Sequence, residues 1–529
     1  MIVPLTPLDF CRRAALLYPD KIGVVDGSVR LSYSQFGERV NRLATALHQL
    51  GIGKGDVVSF LSSNTHHLLE AYYGVIQIGA ILSPINLRLA KEEIEYILDH
   101  SESKILFYHS DFRPLVQQMR PSSSHLSQLV EIEPVQPKAE FAWSYDDLLK
   151  TAALEFFHEP VTDENAPAEL FYTSGTTGHP KGVVLSHRTL YLHALSLMAC
   201  LHFSDRDALL HVVPLFHVNG WGSPHFLTAV GGKHVMLRKM VPEEIFQLVQ
   251  EEKVTRIFAV PTVFTALINA PGRSRYDLSS LKMAFIGGAP APLSLIQGVE
   301  DRLQCQAISG YGLTETSPVI SIALPKDSMQ KWERGQRLTF QTRAGRESLG
   351  AEIRVVNSEG QDVTPDDNEV GEIVVRSNVV MSEYLKDPRA TSDALRDGWF
   401  HTGDLGTVDD EGTLRIVDRS KDIIISGGEN ISSAEVENVL YHHPAVLECA
   451  VIGIPEEQWG EVPMAFVVLK PGSTLSEAEL KAFVRSHLAH FKCPHAISFR
   501  DGLPKGGTGK ILKRELRRPY WEGREKQVN

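Results

Sequence analysis

Short, β-branched apolar runs alternate with amphipathic stretches through the first hundred residues and again between Ala208 and Ile308. That rhythm leaves few folds open. Each strand needs a helical crossover to reach a parallel neighbour, and the expected product is a mainly parallel, helix-covered sheet. Phe36, Val40, Leu43, Leu47 and Leu50 recur at helical spacing between Ser34 and a terminating Gly51, which predicts an amphipathic helix. VVSFL (Val57–Leu61) reads as a strand, a helix is expected from about His67 to Ile78, and KEEIEYILDH and KILFY read as a further helix and strand. From about Gly345 to Val417 the texture changes to short strands separated by turn residues at Asn357–Gly360, Asp366–Asn368 and Asp409–Gly412, so a β-rich portion is expected there. A helix and a new set of strands begin after Asp418, and the roughly 110 residues that remain suffice for a separate domain.

Composition removes several classes of function. The chain has 529 residues, 43% of them hydrophobic, enough material for more than one core. Against 65 Asp and Glu stand 53 Lys and Arg, a formal charge of -12, so no global field would hold nucleic acid. Cys11, Cys200, Cys305, Cys449 and Cys493 lie far apart with no CxxC pair, which argues against a zinc site or disulfide framework and fits a reducing cytoplasm. No run of 18 apolar residues suggests a membrane span, the amino terminus does not read as a signal peptide, and the final Lys-Gln-Val-Asn lacks a peroxisomal Ser-Lys-Leu address.

The strongest local signal is TSGTTGHPKG, Thr173 to Gly182, between the apolar runs ELFY and VVLS. Its glycines let consecutive backbone N–H groups point into one concavity, its hydroxyls add donors and Lys181 adds charge, a combination suited to phosphate. It is not a Walker A loop, because His179 and Pro180 separate Gly178 from Lys181 and a strand, not a helix, is expected next. Alone, the segment would also fit a surface hairpin loop.

Four more segments bear on chemistry. YGLTETSP (Tyr311–Pro318) puts Thr314 and Glu315 in a turn after an apolar strand, supplying a hydroxyl and a hard oxygen ligand of the kind Mg²⁺ prefers. In GWFHTGDLG (Gly398–Gly406), Asp404 stands between glycines, where a carboxylate can accept both hydroxyls of a ribose, although a turn aspartate would look the same. VDRSKDIIISGGENISSAEVENVL (Val417–Leu440) passes from a charged joint through a Gly-Gly turn to a helix that a capping box, Ser432 with Glu435, can start. PKGGTGKILKRELR (Pro504–Arg517) hangs Lys510 at the end of a three-glycine loop ahead of a basic helix; a solvated tail is the alternative.

In this order and spacing the segments closely resemble the adenylate-forming superfamily of acyl-CoA synthetases, nonribosomal adenylation domains and luciferases, over nearly the whole chain. FHVNGWG (Phe216–Gly222) and SGGENISS resemble the branch acting on medium- or long-chain fatty acids, with aryl-acid ligases nearby. The resemblance implies an α/β fold: a large N-terminal domain (1–418) of two helix-covered sheets plus a β-barrel-like part, and a small mobile α+β C-terminal domain (419–529) carrying a catalytic lysine. It implies ATP, Mg²⁺ and coenzyme A. Thr173, Ser174, Gly175, Thr176, Thr177, Gly178 and Lys181 would hold the β- and γ-phosphates, Thr314 would contact the α-phosphate, and Glu315 would bind Mg²⁺. Gly288, Ala289, Pro290, Gly310, Tyr311 and Gly312 would wall the adenine pocket, with Tyr311 stacking on the base, while Asp404 and Arg419 would take the ribose hydroxyls. His217, Val218, Asn219, Gly220 and Trp221 match the acyl tunnel and its gate, although Trp221 fits core packing equally well. Lys421 matches the hinge, Lys510 the lysine bridging carboxylate and α-phosphate, and Gly427 and Gly428 the loop brought to the coenzyme A thiol.

The reaction so implied joins ATP and a carboxylic acid as acyl-AMP with release of pyrophosphate, then passes the acyl group to coenzyme A. An ionised acid needs no base, so the burden is two anions meeting at phosphorus, which cations and positioning must relieve. Two other readings stay open: an adenylating enzyme with a carrier-protein or water acceptor, and a nucleotide-binding protein without turnover, against which the presence of both Glu315 and Lys510 counts. Fatty against aryl acid, and monomer against homodimer, stay undecided.

Overall fold

The computed structural model describes residues 1–119, 125–135, 143–153, 157–173, 180–427, 429–507 and 509–522, and counts of strands refer to these. The predicted alternation folds into two large sheets. The first has nine strands, and its centre is parallel: Ile22–Asp26, Lys233–Met236, Ala208–His211, Arg256–Ala259, Met283–Ile286 and Gln306–Gly312 lie side by side in that order. The second has eight strands, with Pro167–Thr173, Ile81–Pro84, Val57–Leu61, Ile105–His109 and Gln128–Ile132 adjacent and parallel. At its other end Pro167–Thr173 pairs antiparallel with Lys181–Ser186.

Both sheets bury their facing sides on one continuous hydrophobic core, into which the helices Tyr33–Gln49, His66–Gly74 and His187–Leu201 also pack. Phe36, Tyr72, Tyr73 and Phe226 are fully buried there. Their apolar bodies drive the packing, and the tyrosine hydroxyls find carbonyl acceptors, Tyr72 at Leu215 (2.5 Å) and Tyr73 at Pro224 (2.7 Å). The helix expected between Ser34 and Gly51 starts at Tyr33, capped by Ser32 in a full capping box with Gln35. The stretch expected as a helix from His67 to Ile78 divides into an α-helix, His66–Gly74, and a 3₁₀ turn, Ile76–Ile78, that stops at left-handed Gly79.

The β-rich portion is an antiparallel sheet of Ala351–Val356, Gly371–Ser377, Trp399–Val408, Leu395–Arg396 and Leu414–Arg419. Beyond it, a 3₁₀ turn at Ser420–Asp422 leads into a smaller C-terminal domain: the strands Ile424–Ser426, Glu429–Ile431, Val446–Glu456, Gly460–Leu469 and Ala496–Phe499, with the helices Ser433–His442, Glu477–Arg485 and Lys513–Trp521. It has cores of its own on either side of its sheet, one around Val451, Ala465 and Leu480, the other around Ile452, Phe466 and Leu503.

The capping box proposed for the helix after Ser432 is only half made. Ser432 Oγ accepts the N–H of Glu435 (3.1 Å), but the Glu435 carboxylate turns instead to Lys492 (2.8 Å), whose full charge outcompetes a neutral N–H. All five cysteines are free thiols. Among the described residues no helix is long and apolar enough to cross a membrane.

Candidate active site

The predicted site residues 288–290 and 310–312 follow or end parallel strands of the first sheet at their carboxyl ends, the edge at which open α/β sheets hold ligands in a cleft. Gly288, Ala289 and Pro290 form an exposed loop directly after Met283–Ile286. Gly310, Tyr311 and Gly312 end the next strand. Two of these glycines are imposed by space: a Cβ on Gly310 would lie 2.3 Å from the Phe285 ring, and one on Gly312 would lie 1.6 Å from the Pro318 carbonyl oxygen. No side chain fits at either place, so the backbone itself forms the wall.

Immediately downstream, Thr314 and Glu315 sit in a 3₁₀ turn, Thr314 buried and Glu315 half-buried. The Tyr384 hydroxyl donates to Glu315 Oε1 (2.8 Å). Burial pushes the Glu315 carboxyl upward, opposed by that hydrogen bond. Its own backbone N–H and the charge of Arg419 act in the same direction as Tyr384, yet desolvation prevails, and a desolvated carboxylate is a hard oxygen donor that suits a cation. The Tyr384 ring also lies under the Lys181 ammonium, 4.8 Å from centroid to Nζ. Thr173 and Lys181 are paired residues of an antiparallel hairpin, so the strand expected after the glycine loop is present. Ser174, Gly175, Thr176, Thr177, Gly178 and His179 lie outside the described residues, as does Gly428.

Across the cleft, the Tyr311 hydroxyl donates to Asp404 Oδ2 (2.7 Å), and Arg419 Nε lies 3.3 Å from Asp404 Oδ1. Asp404 and Arg419 face each other as cross-strand partners of the antiparallel sheet. The structure therefore gathers residues 311, 404 and 419 into one group, joined by a hydrogen bond and an ion pair at Asp404.

His217 to Trp221 follow the strand Ala208–His211 and take an unusual path. Val218, Asn219, Gly220, Trp221 and Gly222 all have positive φ, from 34° to 84°. Left-handed backbone costs L-residues about 1–2 kcal/mol each, so surrounding contacts must hold this turn. Asn219 Oδ1 accepts the N–H of Gly222 (2.5 Å), and the Gly220 N–H donates to the His217 carbonyl (3.2 Å). The turn drives the Trp221 indole inward, edge-on to Phe285 (centroids 6.1 Å) and near Phe258 (6.5 Å). Its six-membered ring lies against the next stretch of wall: a Cβ on Gly287 would meet it at 3.1 Å and one on Gly288 at 3.6 Å.

The C-terminal domain closes over this cleft. Lys510 ends a loop made tight by hydrogen bonds from the Gly506 N–H to the Lys510 carbonyl (2.8 Å) and from the Gly509 N–H to the Gly506 carbonyl (2.9 Å). The large domain grips the loop: Arg88 Nη1 donates to the Gly506 carbonyl (2.7 Å), and Thr262 Oγ1 donates to that of Gly509 (3.1 Å). Lys510 is thereby brought among Arg419, Asp404 and Asp422 and within electrostatic reach of His217. Its ammonium pKa is pushed down to about 7, first by the like charge of Arg419 and then by desolvation. The lysine is exposed to water, so the like charge of Arg419 is the dominant cause. Burial, with Lys510 adding, pushes the imidazole of His217 down to about 4, so it is neutral near pH 7. Lys421 lies in the 3₁₀ turn between the domains, and Gly427, with φ of 60°, donates its N–H to the Trp459 carbonyl (2.8 Å).

Sequence reading missed several participants. Tyr384, Thr262 and Arg88 carry no local signal, because they meet their partners only across the fold. Glu169 did carry one: an acidic residue inside the apolar strand PAELFYT is anomalous unless paired. It is completely buried, 2.7 Å from His225 Nε2 and 2.9 Å from Asn219 Nδ2.

The family model described as AMP-binding enzyme matches residues 11–385, and that of the AMP-binding enzyme C-terminal domain matches residues 435–510. The chain is 39% identical to the peroxisomal butyrate–CoA ligase AAE11 of Arabidopsis thaliana, covering 97% of this chain and 93% of the relative. It is equally, at 39% and over the same shares, similar to the peroxisomal benzoate–CoA ligase of that plant. Among solved structures, the anthranilate CoA ligase AuaEII in complex with anthranoyl-AMP superposes with a TM-score of 0.88 at 27% identity, over 98% of each chain.

Proposed function

Because this chain belongs to the AMP-binding enzyme family and is an AMP-forming acid–thiol ligase, we propose that it converts a small carboxylic acid, short aliphatic or compact aryl, to its coenzyme A thioester. The carrying observation is Trp221: its indole takes up space between Phe258, Phe285 and the Gly287–Gly288 wall, where a long acyl chain would have to pass. This reading replaces the medium- or long-chain expectation drawn from the FHVNGWG segment with shorter acids and keeps its aryl-acid alternative, and the butyrate and benzoate ligases similar to this chain act on acids of that size.

In the first half-reaction the acid carboxylate attacks the α-phosphorus of MgATP and pyrophosphate leaves. The Thr173–Lys181 hairpin would hold the β- and γ-phosphates, Thr314 the α-phosphate, and Gly288–Pro290 with Gly310–Gly312 the base against Tyr311. Asp404 and Arg419 would receive the ribose hydroxyls. Glu315 would hold Mg²⁺, whose chemistry is to neutralise charge on the phosphates. Lys510 enters beside Arg419 and His217, where its ammonium would bridge the carboxylate and the α-phosphate and offset the repulsion between them. A neutral His217 adds no charge to that contact. For the second half-reaction, rotation of residues 419–529 about Lys421 would withdraw Lys510 and bring Gly427 and Gly428 to the thiol. The five free thiols fit a reducing compartment such as the cytoplasm.

The test is pyrophosphate release from MgATP across aliphatic acids of increasing length and benzoic acids, with and without coenzyme A. Continuous turnover only with coenzyme A, highest for acids of about butyrate to benzoate size, is expected. A maximum at long chains would overturn the small-acid reading, and release indifferent to coenzyme A would overturn the acceptor.

A further inference from the structure

We propose that Glu169 is a positioning residue for the acid, a latch that holds the left-handed Val218–Gly222 turn and through it the Trp221 indole. The inference rests on the reading of Trp221 as the limit of the acyl pocket, and it concerns what keeps that limit in place.

Glu169 stands in the strand Pro167–Thr173, four residues before Thr173, yet its carboxylate points away from the phosphate hairpin into the space between the sheets. Each oxygen has one task. Oε2 accepts from Asn219 Nδ2 (2.9 Å), and Oε1 lies 2.7 Å from His225 Nε2. A carboxylate only accepts, so His225 Nε2 carries the proton, and its other nitrogen, Nδ1, is buried with no partner among the described residues. Asn219 relays the contact onward, its Oδ1 accepting the Gly222 N–H (2.5 Å). Glu169 thus ties both ends of the turn, at Asn219 inside it and at His225 three residues past its last glycine.

The opposite side is closed by His193. A Cβ on Gly222 would lie 2.7 Å from its ring, while its Nε2 accepts the Val319 N–H (3.2 Å). A run of positive φ that includes β-branched Val218 and bulky Trp221 does not persist by local preference, and held between Glu169 and His193 it has one seat. Without the carboxylate, Asn219 loses its anchor, the turn can unwind toward ordinary backbone, and the indole leaves the Gly287–Gly288 wall. The strand pairing of Thr173 with Lys181 does not depend on the Glu169 side chain, so the nucleotide end of the cleft should be spared.

The experiment compares Glu169→Ala, Glu169→Gln, Asn219→Ala and Trp221→Ala in the full-length enzyme. KM for acid and for ATP, the ratio of kcat/KM for butyrate over octanoate, and the thermal midpoint are measured for each. Expected for Glu169→Ala and Asn219→Ala are a rise in acid KM on the order of tenfold and a flattened chain-length ratio, with ATP KM held within about twofold. Glu169→Gln, which keeps an acceptor for Asn219, should recover most of the acid KM. A merely structural role would lower the thermal midpoint and the active fraction while leaving both KM values and the ratio native, and that result overturns the proposal. So does a parallel rise in acid and ATP KM. If Glu169→Ala does not fold, Asn219→Ala decides by the same criteria, since it leaves the Glu169–His225 pair intact. A native profile in Trp221→Ala would instead overturn the pocket reading itself, whereas an altered profile there with native Glu169→Ala and Asn219→Ala overturns only the latch.

Discussion

The Thr262 hydroxyl donates to the Gly509 carbonyl at 3.1 Å, joining residues 247 positions apart in the chain. With the Arg88 hydrogen bond to Gly506, it determines where Lys510 stands, because the lysine is the next residue in the same tight loop. A net hydrogen bond is worth about 0.5–1.5 kcal/mol. Thr262→Val should therefore slow adenylation by roughly two- to tenfold. Transfer from preformed acyl-AMP to coenzyme A should be unchanged or faster, since the bond belongs to this arrangement alone. Single-turnover rates of the two half-reactions check it; equal slowing of both would show that Thr262 serves stability instead.

Lys510 titrates near neutrality because Arg419 is close, and this has a definite sign. The lysine pKa is depressed to about 7, so the ammonium is lost as pH rises through that value. For the free enzyme, kcat/KM for ATP in adenylation should fall on the alkaline side of about pH 7. The corresponding limb in kcat should lie higher, because bound triphosphate favours the charged lysine. Arg419→Gln should move the kcat/KM limb upward even as it weakens ATP binding. Profiles of pyrophosphate release in native and variant enzyme test this, and a limb unmoved by Arg419→Gln would rule it out.

Tyr384 touches both Glu315 and Lys181. Tyr384→Phe removes the donor to the half-buried carboxylate while keeping the ring under the ammonium. The Glu315 carboxyl, already raised by burial, loses the largest of the interactions that oppose the shift and should become a poorer cation ligand. Hydrogen bonds to charged groups are worth about 1.5–3 kcal/mol, so the Mg²⁺ concentration needed for half-maximal activity should rise on the order of tenfold. Mg²⁺ titration at saturating ATP measures this, and an unchanged requirement would remove Glu315 from metal binding.

Trp221→Ala should exchange stability for reach. Removing a buried tryptophan costs about 3–5 kcal/mol, and the space released adjoins the Gly287–Gly288 wall. Longer acids should gain at least about tenfold in kcat/KM relative to butyrate, since each methylene seated in an apolar pocket contributes about 1–3 kcal/mol. The thermal midpoint should fall together with that change. Loss of activity toward every acid without a shift in preference would mean that Trp221 only packs the core.

The strand Val57–Leu61 and the helix Lys91–His100 were legible in the sequence because their cause is local: apolar periodicity and capping act over a few residues. The Thr173–Gly182 segment was legible for a similar reason, since glycines, hydroxyls and a lysine in one short run already state the chemistry. The partner of Glu435 was misread because capping rules consider only neighbours, whereas Lys492 arrives from a distant turn with a full charge. Tertiary structure alone decided that Tyr311 and Arg419 both meet Asp404, that Lys510 stands beside Arg419, and that a buried glutamate accepts a hydrogen bond from a left-handed turn. Each of these depends on through-space distances between residues 15 to 93 positions apart, and electrostatics and packing respond to those distances without regard to order along the chain.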